Sequence, residues 1–298
     1  MEQQTIEKFE SSPPSGFQVV LREFKKDKLA FFSLIAISLL ILGIIIAAFF
    51  IDQEKVMTIN LYERYTEPGV NGYILGADQA GRDILGQLII GSRNSIVIAL
   101  VITVITGFVG IIIGLIMGFY GGYVDNFLMR ILDFFMTLPT LMIIIVFVSI
   151  IPKYGVGELI FIMSLFLWIG TARLIRSKAL SEGRRDYVSA SKTMGTSDIS
   201  IMFKEILPNL SSILIVELTL SFAGNVGIET GLSFLGFGLP PSTPSLGTLV
   251  SYATNPQVLA DKYWVWLPAS LLILILMLGI NYIGQALRRS ADVKQRFG

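Results

Sequence analysis

The residues best suited to chemistry in this chain are a few polar side chains within long apolar stretches. Glu217, Asn225 and Glu229 fall on one such stretch or at its end. Polar groups are costly in the interior of a membrane, so Asn225 and Glu229 are candidates for lining a transport pathway or an outer gate. The alternative is that a backbone group or a neighbouring helix satisfies each side chain and that all of them only assist packing. For Glu217 we favour that alternative.

The chain contains no His and no Cys. The absence of His removes the commonest metal ligand and the usual proton shuttle, and the absence of Cys removes disulfides and thiolate sites. The remaining carboxylates are scattered and form no catalytic constellation. A G-x-x-x-x-G-K-[ST] nucleotide loop is also missing. We therefore expect a non-catalytic chain with no catalytic residues, metal or cofactor of its own.

Composition indicates an integral membrane protein, since 53% of the residues are hydrophobic and only 15% are charged. A hydrocarbon core of about 30 Å requires roughly 20 apolar residues in a helix. Applied to the chain, this length predicts an all-α fold with six transmembrane helices, the third kinked at Pro139. The predicted spans are residues 29–51, 95–119, 131–151, 156–169 with an end reaching 174, 210 into the 230s, and 264–287.

These spans divide the chain into an N-terminal tail (1–28), the first helix (29–51), a polar loop (52–93), a membrane core with helices two to six (94–287) and a C-terminal tail (288–298). Gly107, Gly110, Gly114 and Gly118 recur at three- and four-residue spacing in the second span. Small residues at that spacing are typical of a face where two membrane helices pack closely.

The distribution of Lys and Arg predicts the orientation. With the N-terminus inside, the inner segments hold five basic residues in the N-terminal tail, one at Arg130, seven in residues 173–204 and four in residues 288–296, which leaves six of 23 outside. The positive-inside rule therefore places both termini and the loop between spans four and five in the cytoplasm. The net charge is only +1 and no basic stripe is present, so nucleic-acid binding has no support.

The cytoplasmic loop at residues 181–209 is expected to form a compact knob. Residues 181–194 have helical composition, and Gly195 can adopt the left-handed conformation that ends a helix. Ser197 and Asp198 can cap a second helix that Pro208 follows. Its charged flanks are expected to face water. Its apolar side is expected to insert into a partner's groove through Tyr187, Val188, Ala190, Met194 and Ile201.

An alternative for this loop is an amphipathic segment on the membrane surface, with its bases near anionic lipid. The mixed charges and the small residues Ser189, Ala190 and Ser191 favour close packing against a protein instead.

The same loop resembles a known motif. Residues 187–195, followed by Ile206, Leu207, Pro208 and Asn209, are similar to the EAA loop of ABC-transporter permease subunits, with Ser189 and Ser191 in place of the usual Glu and second Ala. Three further blocks resemble the C-type permeases of peptide and nickel importers. They are residues 75–83 with Gly91 and Arg93, residues 121–125 with the segment leading to Pro139, and residues 232–238 with 244–247.

The resemblance implies a type I ABC importer permease fold with a cytoplasmic coupling loop between helices four and five. It implies that the loop contacts ATPase subunits through Asp186, Tyr187, Val188, Ser189, Ala190, Ser191, Met194, Gly195, Leu207 and Pro208. It also implies that two ATP-binding subunits hold ATP and Mg, that a second permease subunit completes the pathway, and that an extracytoplasmic protein delivers the substrate. The location would be the bacterial cell membrane, and the substrate a dipeptide or oligopeptide, with nickel or a metal chelate as the alternative.

Arg82 and Asp83 belong to the first of these blocks, and the resemblance implies a role for them at a subunit interface or an outer gate. The alternative is that Asp78, Arg82 and Asp83 form solvated ion pairs while the nearby glycines shape turns.

Two other functional classes fit less well. A six-helix channel or secondary transporter would be expected to show internal repeats, a filter-like loop or intramembrane charge pairs. A membrane enzyme would need a catalytic constellation, which the sequence does not contain.

The orientation can be tested directly, because the chain has no cysteine of its own. Single cysteines at Lys192 and Arg289 should be shielded from an impermeant thiol reagent added to intact cells, whereas one at Glu67 should react. Labelling at Lys192 from outside would overturn the orientation.

Overall fold

The fold, given by a computed structural model, describes Arg22 and residues 24–151 and 154–297. Within this part the chain forms helices and loops, with one isolated antiparallel bridge between Ala77 and Asp83. In chain order the α-helices are α1 (Lys28–Phe49), α2 (Gln53–Val56), α3 (Ile84–Tyr120), α4 (Gly122–Thr137), α5 (Thr140–Ile150), α6 (Val156–Glu182), α7 (Asp186–Thr193), α8 (Asp198–Ser200), α9 (Leu207–Asn209), α10 (Ser211–Phe234), α11 (Leu246–Ser251), α12 (Pro256–Asp261) and α13 (Tyr263–Phe297). A π-helical turn, Ile201–Ile206, joins α8 to α9, and 3₁₀ turns occupy Leu61–Glu63 and Tyr252–Thr254.

Five of the described helices are long and apolar enough to cross a membrane: α1, α3, α6, α10 and α13. The sixth span is the pair α4 and α5, which is bent by 80°. The bend lies at Leu138, whose backbone is extended, and Pro139, which precedes α5 and has no N–H to continue the helix. The predicted all-α membrane fold is confirmed, and the expected kink at Pro139 is a full break between two helices.

Several helices extend beyond the predicted apolar spans. Helix α3 begins at Ile84 rather than near residue 95, because the Asp83 carboxylate accepts hydrogen bonds from the backbone N–H groups of Leu85 and Gly86 and caps the first turn. The last part of the predicted loop 52–93 is therefore helical. Likewise, α6 continues to Glu182, and α13 runs through most of the predicted tail 288–298. Most of the predicted tail 1–28 lies outside the described residues.

The glycines of α3 form the closest helix contact. A Cβ atom on Gly114 would lie 2.6 Å from the carbonyl oxygen of Ala172 and 2.8 Å from Cβ of Ile175. Gly110 and Gly118 face α6 in the same way, and Gly107 faces Leu218 on α10. The expected close-packing face is thus present, and it brings the backbones of α3 and α6 together from Gly110 to Gly118.

This close contact predicts a steric effect at Gly114. Gly114→Ala should destabilise the protein by about 1–3 kcal/mol, because the added methyl group has no space against α6. Gly170→Ala is the matched control, since Gly170 is also helical but has open space around it. The measurement is the fraction of monodisperse purified protein that survives heating. Equal survival of the two variants would mean that the contact between α3 and α6 is looser than described.

Candidate functional site

The knob predicted at residues 181–209 is present at one end of the helix bundle. Helix α7 begins soon after α6 ends, and Gly195 has φ +81°, the left-handed conformation expected of it. The Ser197 hydroxyl accepts a hydrogen bond from the backbone N–H of Ser200 and caps the second helix. Two short helices therefore meet at a glycine, as the sequence predicts.

One part of the interpretation of this knob is wrong. Val188 and Ile201 are fully buried and pack on Leu115 of α3 and Ile175 of α6. They cannot insert into a partner's groove, because they anchor the knob to its own chain. Periodicity identifies the apolar residues of a short helix but does not tell which of them face the helix's own domain.

Polar contacts hold the same inner side of the knob. The Ser191 hydroxyl is buried and donates a hydrogen bond of 2.8 Å to the Glu205 carboxylate on the π-helical turn. The Tyr187 hydroxyl donates to the Glu182 carboxylate at 3.0 Å, and burial raises the pKa of Tyr187. The Lys192 ammonium lies 4.3 Å from the ring centre of Phe119. These contacts join both helices of the knob to the ends of α3 and α6.

Other residues of the knob are exposed, and we call the surface that they form the coupling face. Met194 is 77% exposed there. Ile199 and Phe203 add exposed apolar surface that the sequence interpretation missed, although their four-residue spacing on the second helix was a visible signal. An exposed apolar surface of this kind is typical of a protein contact site. The coupling face consists of Asp186, Ser189, Ala190, Met194, Gly195, Ile199 and Phe203.

The sequence predicted that Pro208 follows the end of the second helix. In the structure Pro208 instead lies within a continuous helical path. The backbone N–H of Leu207 bonds to the carbonyl of Met202, five residues back, in the π-helical turn before the proline. A π turn of this kind rearranges the hydrogen bonds around a residue that lacks an N–H group. Leu207 is half-buried against the core of the knob, and Pro208 is exposed. The knob therefore leads into α10 with no loop between them.

A row of polar residues runs along α10, in which each member follows the last by four positions: Glu217, Ser221, Asn225, Glu229 and Ser233. Sequence interpretation named three of them without recognising the row. The Asn225 amide donates to the Thr103 hydroxyl of α3 at 2.9 Å. The Thr171 hydroxyl of α6 donates to the Glu217 carboxylate at 3.2 Å. The row thus lies along the contacts of α10 with α3 and α6.

Glu229 is the most buried member of this row. Its carboxylate accepts hydrogen bonds from the hydroxyls of Ser95 at 2.8 Å and Ser233 at 2.9 Å. Ser95 also accepts a bond from the backbone N–H of Leu246, the first residue of α11. Burying a carboxylate is costly unless donors replace water. These contacts join α3, α10 and α11, and they support the packing interpretation for Asn225 and Glu229.

The loop between α1 and α3 contains a second buried cluster. Arg82 donates to the Asp78 carboxylate at 2.8 Å and to the Tyr252 hydroxyl at 2.8 Å, and Gln87 donates to Asp78 at 3.1 Å. Burial and the charge of Asp78 raise the pKa of Tyr252. The alternative of solvated ion pairs is therefore wrong for Asp78 and Arg82, whose side chains are 0% and 11% exposed. Asp83 points to the first turn of α3, which it caps.

The Arg82 cluster borders a cavity of about 340 Å³, between the start of α3 and the loop that follows α10. Tyr154, Pro240 and Tyr252 also line this cavity. Among the residues that the structure describes, no group of three or more carboxylates is arranged to hold a metal ion.

Comparison with known proteins places these features in a context. Residues 110–294 match the family described as binding-protein-dependent transport system inner membrane component. Residues 15–68 match the N-terminal transmembrane domain of oligopeptide transport permease C.

Individual relatives span nearly the whole chain. The oligopeptide transport system permease protein OppC of Lactococcus lactis subsp. lactis (strain IL1403) is 52% identical over 93% of this chain and 94% of its own length. OppC of Bacillus subtilis (strain 168) is 34% identical over 97% of this chain and 93% of its own length. The dipeptide transport system permease protein DppC of Haemophilus influenzae is 34% identical over 95% of this chain and 96% of its own length.

The contacts of Glu229 predict a structural effect of its substitution. Glu229→Gln replaces one acceptor oxygen by an NH₂ group that faces a hydroxyl donor, so we expect a loss of stability of about 1–3 kcal/mol. Glu67→Gln is the control, because Glu67 is exposed. Thermal unfolding of the purified complex is the measurement. A Glu229→Gln complex that melts with the parent but transports poorly would instead favour the pathway interpretation.

Proposed function

Because the chain belongs to the family of binding-protein-dependent transport system inner membrane components, we propose that it is the permease subunit of an ATP-driven importer of oligopeptides or dipeptides. The observation that carries this proposal is the knob, which has one side anchored on the membrane helices and the other exposed. The names of the relatives favour a peptide as the substrate over nickel or a metal chelate. The chain itself performs no chemistry and forms part of the translocation pathway.

The knob has the arrangement needed to transmit force. A partner that binds the coupling face acts on a body whose inner side packs on α3 and α6 through Val188 and Ile201. The same body continues into α10 through the π-helical turn. A displacement of the knob therefore acts on three membrane helices together. This is how ATP-driven closure of partner subunits would rearrange the pathway.

The partners are those that membership of this family implies. Two partner ATPase subunits would bind ATP and Mg and contact the coupling face, and the absence of a nucleotide-binding loop from this sequence is consistent with that division of labour. A second permease subunit would enclose the pathway with this one. A binding protein would dock on the opposite side of the membrane, where the cavity bordered by Arg82 opens. In this arrangement the knob and both termini are cytoplasmic in a bacterial cell membrane, as the excess of basic residues indicates.

Reconstitution tests this function. The chain, its partner permease and the two ATPase subunits are placed in liposomes, and uptake of a labelled oligopeptide is measured with the binding protein outside and ATP inside. We expect uptake that requires ATP and the binding protein. A complex that takes up nickel under these conditions but no peptide would contradict the proposed substrate.

Gly195 provides a sharper test of the coupling role. A Cβ atom at Gly195 would meet no atom within 4 Å, so the effect of Gly195→Val comes from the φ of +81° alone. The strain is on the order of 1 kcal/mol or more, and we expect normal membrane insertion and pairing with loss of uptake and of ATPase docking or substrate-stimulated hydrolysis.

Gly195→Asn is the matched control for this prediction, because Asn adopts the left-handed conformation more readily than Val. It should retain most of the uptake. Full docking, stimulated hydrolysis and uptake in Gly195→Val would show that the knob does not couple ATP to transport.

A further inference from the structure

An ion pair connects the bent helix pair to the helix that leads into the knob. Arg176 of α6 forms a two-pronged hydrogen-bonded contact with Asp125 of α4, in which Nε donates to Oδ1 and NH2 donates to Oδ2 at 2.6 Å. The two side chains are only 24% and 11% exposed. A paired guanidinium and carboxylate of this geometry restricts both distance and orientation, which a single contact does not.

The position of this ion pair is as informative as its geometry. Asp125 lies in the first turn of α4, directly after the glycine turn that ends α3. Arg176 lies about two turns before the end of α6, and α7 begins just beyond that end. The pair thus joins the start of one helix to the part of α6 nearest the knob.

Apolar contacts hold the middle and the end of α4. Leu132 packs with Met117, Ile169 and Ala172, and Leu128, Met129 and Phe135 pack against the same cluster. In the first turn of α4 the residues before Asp125 are exposed, whereas Asp125 is buried. The contact between Asp125 and Arg176 therefore fastens this end of α4 to α6.

Beyond the bend at Leu138 and Pro139, the second arm packs on the same helix. Ile144 and Val148 of α5 are buried against Ile162 and Met163 of α6. Helix α6 thus contacts both arms of the bent pair, one through an ion pair near the knob and the other through an apolar cluster at the far end. The break between the arms lacks a helical hydrogen bond, so it is the place where the angle can change.

We infer that Arg176 is a positioning residue for transport, because its ion pair with Asp125 makes α4 follow the knob and converts displacement of the knob into a change of the bend between α4 and α5. This inference rests on the proposed function. It adds a second route by which displacement of the knob reaches the membrane helices, through α4, besides the direct connection into α10.

The first test compares two arginines of the same helix. Arg176→Gln removes the ion pair. Arg173→Gln is the matched control, because Arg173 is exposed and its hydrogen bond to α4 goes to the Met136 sulfur, a weak acceptor, at 3.2 Å. In the reconstituted complex we expect Arg176→Gln to assemble and to keep its basal ATP hydrolysis. Peptide uptake and substrate-stimulated hydrolysis should fall about tenfold or more, the size of a typical coupling between sites. Arg173→Gln should behave as the parent.

Two further variants keep this test decisive. The double variant Asp125→Arg with Arg176→Asp should recover a part of the stimulation, since the pair is restored with reversed charges. If Arg176→Gln does not assemble, Arg176→Lys decides the matter, because it keeps the charge but loses the two-pronged geometry. Parental uptake and stimulation in an assembled Arg176→Gln complex, or in Arg176→Lys, would overturn the inference.

A distance measurement tests the mechanical link itself. Spin labels are attached to cysteines at Asn126 on α4 and Thr193 on α7, which are exposed positions outside the coupling face in a chain without native cysteine. In the parental complex the distance between the labels should be the same in the nucleotide-free and ATP-trapped states. In Arg176→Gln it should differ between the two states. A change of this distance in the parental complex would show that α4 does not follow the knob.

Different results would contradict the proposed function and the role of Arg176. An inactive parental complex, with no ATP-dependent peptide uptake, contradicts the proposed function. A parental complex that transports peptide, but whose label distance changes between states, contradicts only the role of Arg176.

Discussion

The close contact between α3 and α6 is the constraint on which the rest of this structure depends. Lipid tails are as apolar as the helix surfaces, so membrane helices are held together by packing and polar contacts rather than by the exclusion of water. Gly110, Gly114 and Gly118 allow this packing at backbone distance. At one end of the seam, side chains of both helices form the surface on which Val188 and Ile201 rest. The position of the knob is therefore a consequence of the glycine spacing.

Buried polar groups determine how the remaining helices are placed on this pair. Each such group needs a partner in a medium without water, so every hydrogen bond between helices selects one register. Asn225 and Glu229 select the register of α10 on α3, and the contact of Ser95 with Leu246 adds α11 to the same assembly. In the loop between α1 and α3, the buried Asp78 fixes the segment before α3 through its hydrogen bonds with Arg82 and Gln87. Residues that suggest a pathway in the sequence thus serve first to specify the fold.

The two sides of the knob have separate physical roles. In the proposed mechanism its buried side would transmit displacement, because packed β-branched and aromatic groups and the bond from Ser191 to Glu205 fasten it to α3 and α6. Its exposed side presents Met194, Ile199 and Phe203 to a partner. A π-helical turn instead of a flexible loop leads from α8 towards α10, so the proposed movement would be passed on to α10. A coupling element must combine these properties.

Much of this could be predicted from the sequence by itself. The apolar stretches determine six spans, the break at Pro139 follows from the missing N–H group, and the left-handed Gly195 and the cap at Ser197 follow from local backbone preferences. These features depend on neighbours along the chain, so a single sequence contains the information. The resemblance of residues 187–208 to the loop of ABC permeases also identified the family that the comparisons show.

Only the tertiary structure decided which side of each element is buried. Val188 and Met194 are both apolar residues of one short segment, yet one is fully buried and the other is 77% exposed, because the ends of α3 and α6 cover a single side. Glu229, Asp78 and the pair of Asp125 with Arg176 have partners far away along the chain, which no local pattern specifies. Composition and spacing determine which residues can cross a membrane and where helices start and stop. The contacts between distant segments determine what each polar residue does there.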